Sequence, residues 1–235
     1  MRPMFFAHTT AFLIASSLCA SLPAIAQLPI AGTNSGIFVN PLPGSATTTG
    51  VGTNAFTFGN DLSGMGPNRF TFNAIPFNTQ TEADFLVGTF TYFNGTSTSG
   101  TQIDSVDLRI GSNFTTPPAG LQVSTFGLNV ISTPNTGTPD ENADAVLLPS
   151  SYSSTIFMIG GTQYTLQLLG FRNVVGDGFL TSSNTRLNAR EISTVSAQLF
   201  GRVTSNLTGV PEPGTLALLG AAGIAAMLLR RRRKA

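Results

Sequence analysis

The chain has 235 residues, of which 41% are hydrophobic and only 10% are charged, with 25 glycines and no tryptophan. A chain of this length can bury one sizeable core. Residues 27–209 carry six arginines, no lysine and ten acidic residues, a formal charge of −4. This composition excludes the basic surface that nucleic-acid binding requires, so we predict no nucleic-acid partner.

The first 26 residues have the order of a secretory signal peptide. Arg2 precedes an apolar run, and Ala24 and Ala26 supply the small residues that signal peptidase accepts. We therefore predict that residues 1–26 form a signal helix and are removed by signal peptidase during export.

The mature chain lacks the commonest catalytic side chains. The single histidine, His8, and the single cysteine, Cys19, both lie in the signal segment, so imidazole and thiol chemistry are lost with it. Asp104 and Asp107 form a carboxylate pair, but residues three apart on a strand spanning Ile103–Ile110 point to opposite faces. We predict that the protein is not an enzyme, and a glycan-cleaving enzyme is the least favoured alternative.

The body has the period-two pattern of β-strands. In Thr194–Val203, one face carries Val195, Ala197, Leu199 and Val203, and the other carries Ser196, Gln198 and Arg202. Similar segments, rich in Thr, Phe, Val and Ile, are Asn54–Phe58, Arg69–Asn73, Phe85–Tyr92, Ile103–Ile110, Leu121–Ile131, Thr155–Ile159 and Tyr164–Phe171. Each is predicted to be a half-buried strand.

Turn-forming residues separate these segments, as at Asn94-Gly95 and Gly160-Gly161, and no long amphipathic helix fits between them. Many short strands at this spacing predict an all-β fold, an antiparallel two-sheet β-sandwich of jelly-roll type, in one domain over residues 27–209. Most phenylalanines are expected in its core. The Gly- and Pro-rich segment 27–50 is expected to contain at most a loose strand.

The middle of the chain resembles a known family of exported domains. Phe85–Thr96 reads Phe-Leu-Val-Gly-Thr-Phe-Thr-Tyr-Phe-Asn-Gly-Thr, and Ser105–Leu108, Thr133–Gly137, Ala143–Val146 and Tyr164–Leu168 follow in the same order. Together these stretches resemble the choice-of-anchor K domain. The resemblance implies an exported β-rich body with an anchoring tail; because the family has no established activity, it implies no catalytic residues.

One short segment has part of the pattern of a calcium loop. Asp140, Asn142 and Asp144 place oxygen ligands at alternate positions, as in the first half of such a loop. The position that needs Gly is Ala145, and the position that needs a bidentate Glu is Ser151. Calcium binding by this segment is therefore a hypothesis, and the preferred interpretation is a solvated acidic loop between two strands. We predict no other cofactor.

The C-terminus combines three ordered elements. Val210, Pro211, Glu212, Pro213 and Gly214 form an extended, protease-accessible step, because each proline disfavours helix in the residue before it. An apolar helix over 216–229 then spans only about 21 Å, short of the roughly 30 Å hydrocarbon core. The chain ends in a stop-transfer cluster of Arg230, Arg231, Arg232, Arg233 and Lys234, which favours a cytoplasmic C-terminus.

This combination over residues 210–235 resembles the PEP-CTERM sorting signal. The resemblance implies that the tail holds the protein briefly in the inner membrane of a Gram-negative bacterium until an exosortase cleaves it near the motif and passes the protein to the surface. We therefore predict an exported cell-surface or extracellular-matrix protein with a structural or adhesive role in biofilm or extracellular polysaccharide. The alternative from another class is a lectin-like module that binds such a polysaccharide.

Overall fold

A computed structural model describes residues 27–177 and 182–206. These residues form strands and turns without a helix, so none of them could cross a membrane as a helix, and the predicted terminal helices lie outside them. The strands are β1 (Pro29–Leu42), β2 (Thr48–Thr49), β3 (Ala55–Phe58), β4 (Asn68–Ala74), β5 (Phe77–Gln80), β6 (Asp84–Asn94), β7 (Ser105–Thr116), β8 (Pro118–Ile131), β9 (Asp144–Leu147), β10 (Thr155–Ile159), β11 (Thr162–Val175), β12 (Arg186–Ala189) and β13 (Ser193–Ser205). The predicted all-β class is confirmed.

The strands form two antiparallel sheets. One has six strands in the order β12-β9-β8-β7-β1-β5, and the other has seven in the order β10-β11-β13-β6-β4-β3-β2. Several neighbours in these sheets are far apart in sequence; β6, for example, pairs with β13 in the register Thr91↔Ser196. Because such pairings are non-local, the fold depends on contacts between distant parts of the chain.

The two sheets enclose a common hydrophobic core. Phe38 of the six-stranded sheet contacts Phe56, Phe70 and Phe90 of the seven-stranded sheet, with ring centroids 5.8 to 6.3 Å apart. The expectation that phenylalanine fills the core is confirmed by the buried rings of Phe38, Phe56, Phe58, Phe70, Phe72, Phe77, Phe85, Phe90, Phe114, Phe126, Phe157 and Phe171. Burial of these aromatic rings supplies much of the driving force for folding.

All eight segments predicted as strands lie in strands, with small differences at their ends. The strand predicted over Ile103–Ile110 begins two residues before the observed strand, because β7 starts at Ser105. Asp104 therefore lies in the loop before β7. The larger difference is β1, a strand of 14 residues that pairs with both β7 and β5, with two register shifts against β7. Two positions of β1 that face the core are Gly32 and Gly36. Aromatic rings from other strands pack over both glycines, so the sequence of β1 lacks the alternating hydrophobic pattern of a strand.

Candidate functional site

The predicted sorting and processing residues lie outside the described residues. These are Ala24 and Ala26 at the signal-peptidase site, Val210, Pro211, Glu212, Pro213 and Gly214 in the sorting motif, and Arg230, Arg231, Arg232, Arg233 and Lys234 in the stop-transfer cluster. The candidate sites among the described residues all lie in the β-rich body.

The three predicted calcium ligands lie between β8 and β9 but have different surroundings. Asp140 is exposed, with Oδ1 3.5 Å from a guanidinium nitrogen of Arg190. The Asn142 side chain is buried, accepts a hydrogen bond from the Gly137 N–H at 2.9 Å and donates to Glu191 Oε2 at 3.0 Å. Asp144 is buried at the start of β9. The loop is thus less solvated than expected.

Among residues 27–177 and 182–206, no three His, Cys, Asp or Glu side chains are grouped so that they could hold a metal ion. Asp144 Oδ1 accepts hydrogen bonds from the Thr133 N–H at 2.7 Å and from the Thr133 hydroxyl at 3.1 Å. Asn142 and Asp144 therefore use their oxygens to fasten this loop. Calcium binding stays a hypothesis.

A buried polar cluster joins the two sheets at this end of the body. The tyrosine cluster consists of Asn68, Tyr92, Asn94 and Asp144, all at most 2% exposed. The Tyr92 hydroxyl lies 3.1 Å from Asn68 Oδ1, 3.0 Å from Asn94 Oδ1 and 3.4 Å from Asp144 Oδ2. Since a hydroxyl has one proton, it donates to one of these acceptors at a time.

The cluster extends into both sheets through its amides. Asn94 on β6 donates from Nδ2 to the carbonyl oxygen of Ala189 on β12 at 2.9 Å, and Asn68 on β4 donates to Ser97 Oγ at 3.0 Å. A buried network of this kind is favourable only when its members are paired, because an unpaired buried polar group is costly. The cluster therefore fixes the relative position of β4, β6, β9 and β12.

Burial dominates the electrostatics of the cluster. It raises the pKa of Asp144 from 3.8 to about 6, although hydrogen bonds from Thr133 and Tyr92 favour the ionised form; the charge of Glu191 adds to the rise. The pKa of Tyr92 is raised well above 10, first by burial and then by the charge of Asp144. At neutral pH, Tyr92 is therefore a protonated donor beside an ionised acceptor.

A groove of about 460 Å³ lies beside the cluster, between the loop before β7 and the segment that follows β8. This loop groove is lined by residues 97, 99, 100, 102–104 and 130–135. Gln102 Nε2 donates to Ser97 Oγ at 2.6 Å, Asn135 Nδ2 donates to the Ser97 carbonyl oxygen at 2.8 Å, and Ile103 and Val130 supply apolar surface. Thr133 connects the groove to Asp144.

The groove is suited to hydrogen bonding and not to proton transfer between paired groups. Asp104 is the one charged residue among the described residues that line it, and the others are hydroxyl, amide, glycine or apolar residues. A hydroxyl-rich, uncharged molecule would match this lining. General acid and base catalysis would need a second titratable partner.

Three further carboxylates, those of Asp107, Glu82 and Asp84, are engaged in structural contacts. Asp107 on the outer face of β7 accepts a hydrogen bond from Asn40 Nδ2 at 2.9 Å, whereas Asp104 is exposed in the preceding loop. Glu82 accepts a hydrogen bond from the Ser205 N–H at 2.8 Å, and Asp84 pairs with two arginines of the seven-stranded sheet.

Sequence reasoning missed the tyrosine cluster. Asn94 follows Phe90 and Tyr92 at alternate positions on the inward face of β6, and Asn68 precedes Phe70 in the same way on β4. An asparagine in phase with buried aromatic residues is a signal of a buried polar network, since such a side chain must find partners inside. The alternation could therefore have identified two of its four members.

Comparison with known families identifies the tail. The family described as PEP-CTERM protein-sorting motif matches residues 209–233, which include the proline motif, the apolar run and most of the basic cluster. The chain has no match among curated proteins. The match covers the C-terminal segment alone and leaves the body without an assigned family.

Proposed function

Because the chain carries a PEP-CTERM sorting motif, we propose that it is an exported protein that an exosortase cleaves near the motif, leaving the two-sheet body at the cell surface or in the extracellular matrix. One observation supports this most directly. The last strand, β13, ends at Ser205, and the matched motif begins at residue 209. Cleavage at the motif would therefore remove no strand from the described fold.

The physical chemistry of the tail supports a transient anchor. A signal peptidase would remove residues 1–26, and the apolar segment before Arg230 would hold the chain in the inner membrane with its basic end in the cytoplasm. Since this segment is short for a bilayer, it is a weak anchor, which suits a step that precedes release.

We further propose that the body is a β-sandwich of jelly-roll type related to the choice-of-anchor K domain. The arrangement of two antiparallel sheets around one core supports the sandwich. Four of the five stretches that resemble the family fall in β6, the start of β7, β9 and the first half of β11, and Thr133–Gly137 lies in the loop between β8 and β9. A structural or adhesive role without catalysis is the simplest function for such a body.

Binding of an extracellular polysaccharide by the body is the second candidate function. The loop groove supports it, because hydroxyl and amide side chains beside apolar surface are suited to sugars. A pull-down with extracellular polysaccharide from the host tests it: saturable binding by the protein favours this function, and its absence favours a structural role alone.

The experiment that tests sorting compares the native host with a strain that lacks its exosortase. We expect the protein with an epitope after Ala235 to accumulate uncut in the inner-membrane fraction of the deletion strain. In the parent strain the body is expected outside without the epitope. Equal amounts of uncut protein in both strains would contradict the proposal.

A further inference from the structure

The outer face of the seven-stranded sheet carries two adjacent rows of hydroxyl and amide side chains. In one row Thr71 on β4 pairs with Thr91 on β6, which pairs with Ser196 on β13; in the next row Asn73, Thr89 and Gln198 are paired in the same way. None of these side chains is buried. At about 4.8 Å between strands, the rows form a continuous surface rich in hydrogen-bonding groups.

Two guanidinium groups lie over aromatic rings on either side of these rows, in the direction of the strands. The guanidinium of Arg69 lies 5.5 Å from the centre of the Phe93 ring, and that of Arg172 lies 5.2 Å from the centre of the Phe200 ring. Phe93 pairs with Thr194, six residues from Phe200 on β13. At about 3.3 Å per residue, the two stacked pairs are therefore about 20 Å apart along the strands.

A third arginine, Arg202, lies beside Arg172, and Asp84 fixes both. Asp84 Oδ2 is 2.8 Å from Arg172 Nη1, and Asp84 Oδ1 is 2.6 Å from Arg202 Nη2. The two guanidinium side chains remain about 40% exposed, compared with 27% for Asp84. The carboxylate thus holds the arginines in place while leaving part of each guanidinium open to solvent.

This arginine face, made of the two rows with Arg69, Arg172 and Arg202, differs in charge from the rest of the body. Residues 27–209 have a formal charge of −4 and contain six arginines. Three of these arginines lie on the arginine face, where, among the described residues, the one carboxylate that pairs with them is that of Asp84. Within the part of the chain that the structure describes, Arg69 forms no ion pair. Positive charge is thus concentrated on one extended, hydroxyl-rich surface.

We propose that the arginine face binds an acidic polysaccharide chain laid along the strands. The guanidinium groups would pair with carboxylate or sulfate groups near the two ends, and the threonine, serine, asparagine and glutamine side chains would hydrogen-bond sugar hydroxyls between them. Double-stranded DNA carries a charge about every 1.7 Å, which three arginines over about 20 Å do not match. The inference rests on the second candidate function, polysaccharide binding, and is independent of tail processing.

The test uses the full chain purified in a mild nonionic detergent, with polygalacturonate as the acidic probe and dextran as the neutral one. Affinity electrophoresis is expected to show retardation by polygalacturonate that weakens with added salt and that exceeds the retardation by dextran, which the loop groove alone would bind. The variant Arg69→Gln/Arg202→Gln is expected to bind about tenfold more weakly. The matched control Arg109→Gln/Arg186→Gln removes the same charge from the six-stranded sheet and is expected to bind like the wild type.

Three results would overturn the proposal: no retardation by polygalacturonate, equal retardation by dextran, or equal loss in both double variants. Retention by anionic phospholipid vesicles that needs the same arginines, without binding to polygalacturonate, would assign the face to a lipid surface instead. Should the double variant unfold, Arg69→Gln alone decides, because Arg69 has no ion pair to lose in the described structure. Purified protein makes the result independent of exosortase, so failure here leaves sorting untouched.

Discussion

The ring of Phe72 on β4 lies directly over the backbone of Gly36 on β1, so that a residue of one sheet fills the space where the other sheet has no side chain. The same ring borders Gly88 on β6, where an added Cβ would lie 2.6 Å from two ring carbons. Phe72 is fully buried. The two glycines therefore form part of the packing of the core and are not merely flexible positions.

Substitution of Gly36 by alanine is predicted to destabilise the body. The new Cβ would overlap the buried Phe72 ring, so we expect a loss of about 1–3 kcal/mol in the free energy of unfolding. Gly127→Ala on β8 is the matched control, because its Cβ would meet nothing closer than Asp107 Oδ1 at 3.6 Å. Urea unfolding measures both; equal midpoints would contradict the packing described.

Tyr92→Phe tests the tyrosine cluster. The substitution keeps the ring but removes a buried hydroxyl that faces Asn68, Asn94 and Asp144, so an acceptor is left without its donor. We expect a loss of about 1–3 kcal/mol in the free energy of unfolding. Tyr164→Phe on β11 is the control, because no hydrogen bond joins its hydroxyl to another described residue. Similar losses in the two variants would argue against the network.

Asp144 is predicted to make stability fall as pH rises. The pKa of Asp144 is about 6 in the folded protein and 3.8 ordinarily. Between about pH 4 and 6 this carboxyl group is therefore ionised in the unfolded protein but still protonated in the folded protein. Ionisation then stabilises the unfolded state relative to the folded state. This contribution favours folding fully below pH 3.8 and is lost through pH 6, a change on the order of 3 kcal/mol. Other carboxylates, such as Asp84, have a lowered pKa and act in the opposite direction at lower pH.

The variant Asp144→Asn isolates that contribution, because it removes the charge and keeps an oxygen for Thr133. We expect the free energy of unfolding of the wild type, measured relative to the variant, to decrease from pH 4 to pH 7. A constant difference between wild type and Asp144→Asn would show that burial does not govern this carboxylate.

Calcium is predicted to leave stability unchanged. Asn142 and Asp144 use their oxygens within the protein, and Asp140 lies next to Arg190, so binding would have to break existing contacts. Thermal unfolding in calcium and in a chelator should give the same midpoint. A rise in calcium that disappears in Asp140→Asn would instead support the calcium loop.

The sequence predicted the strands whose hydrophobic positions alternate, because burial on one face imposes that alternation. It did not predict β1 as a long paired strand, because its inward positions Gly32 and Gly36 carry no side chain and are covered by Phe77 and Phe72 of other strands. The short strands β9 and β12 are buried at three consecutive positions and β5 at only one, so none of them shows the alternation that identifies a strand.

The candidate sites show the same limit. The proline motif and the basic cluster are local in sequence, so they can be recognised without knowledge of the fold. The tyrosine cluster and the arginine face combine residues far apart in the chain, such as Tyr92 with Asp144 and Asp84 with Arg202. Their partners depend on strand order, which local patterns do not determine.

The central claim is that the C-terminal segment is a sorting signal that is removed. Intact-mass measurement of the protein recovered from its native host tests this most directly, with a variant in which Pro211, Glu212 and Pro213 are replaced by alanine as the comparison. We predict that the wild-type protein has lost the segment containing Arg230–Lys234 and that the variant retains it. Wild-type protein that still carries this basic end in the mature, surface-exposed form would contradict the account.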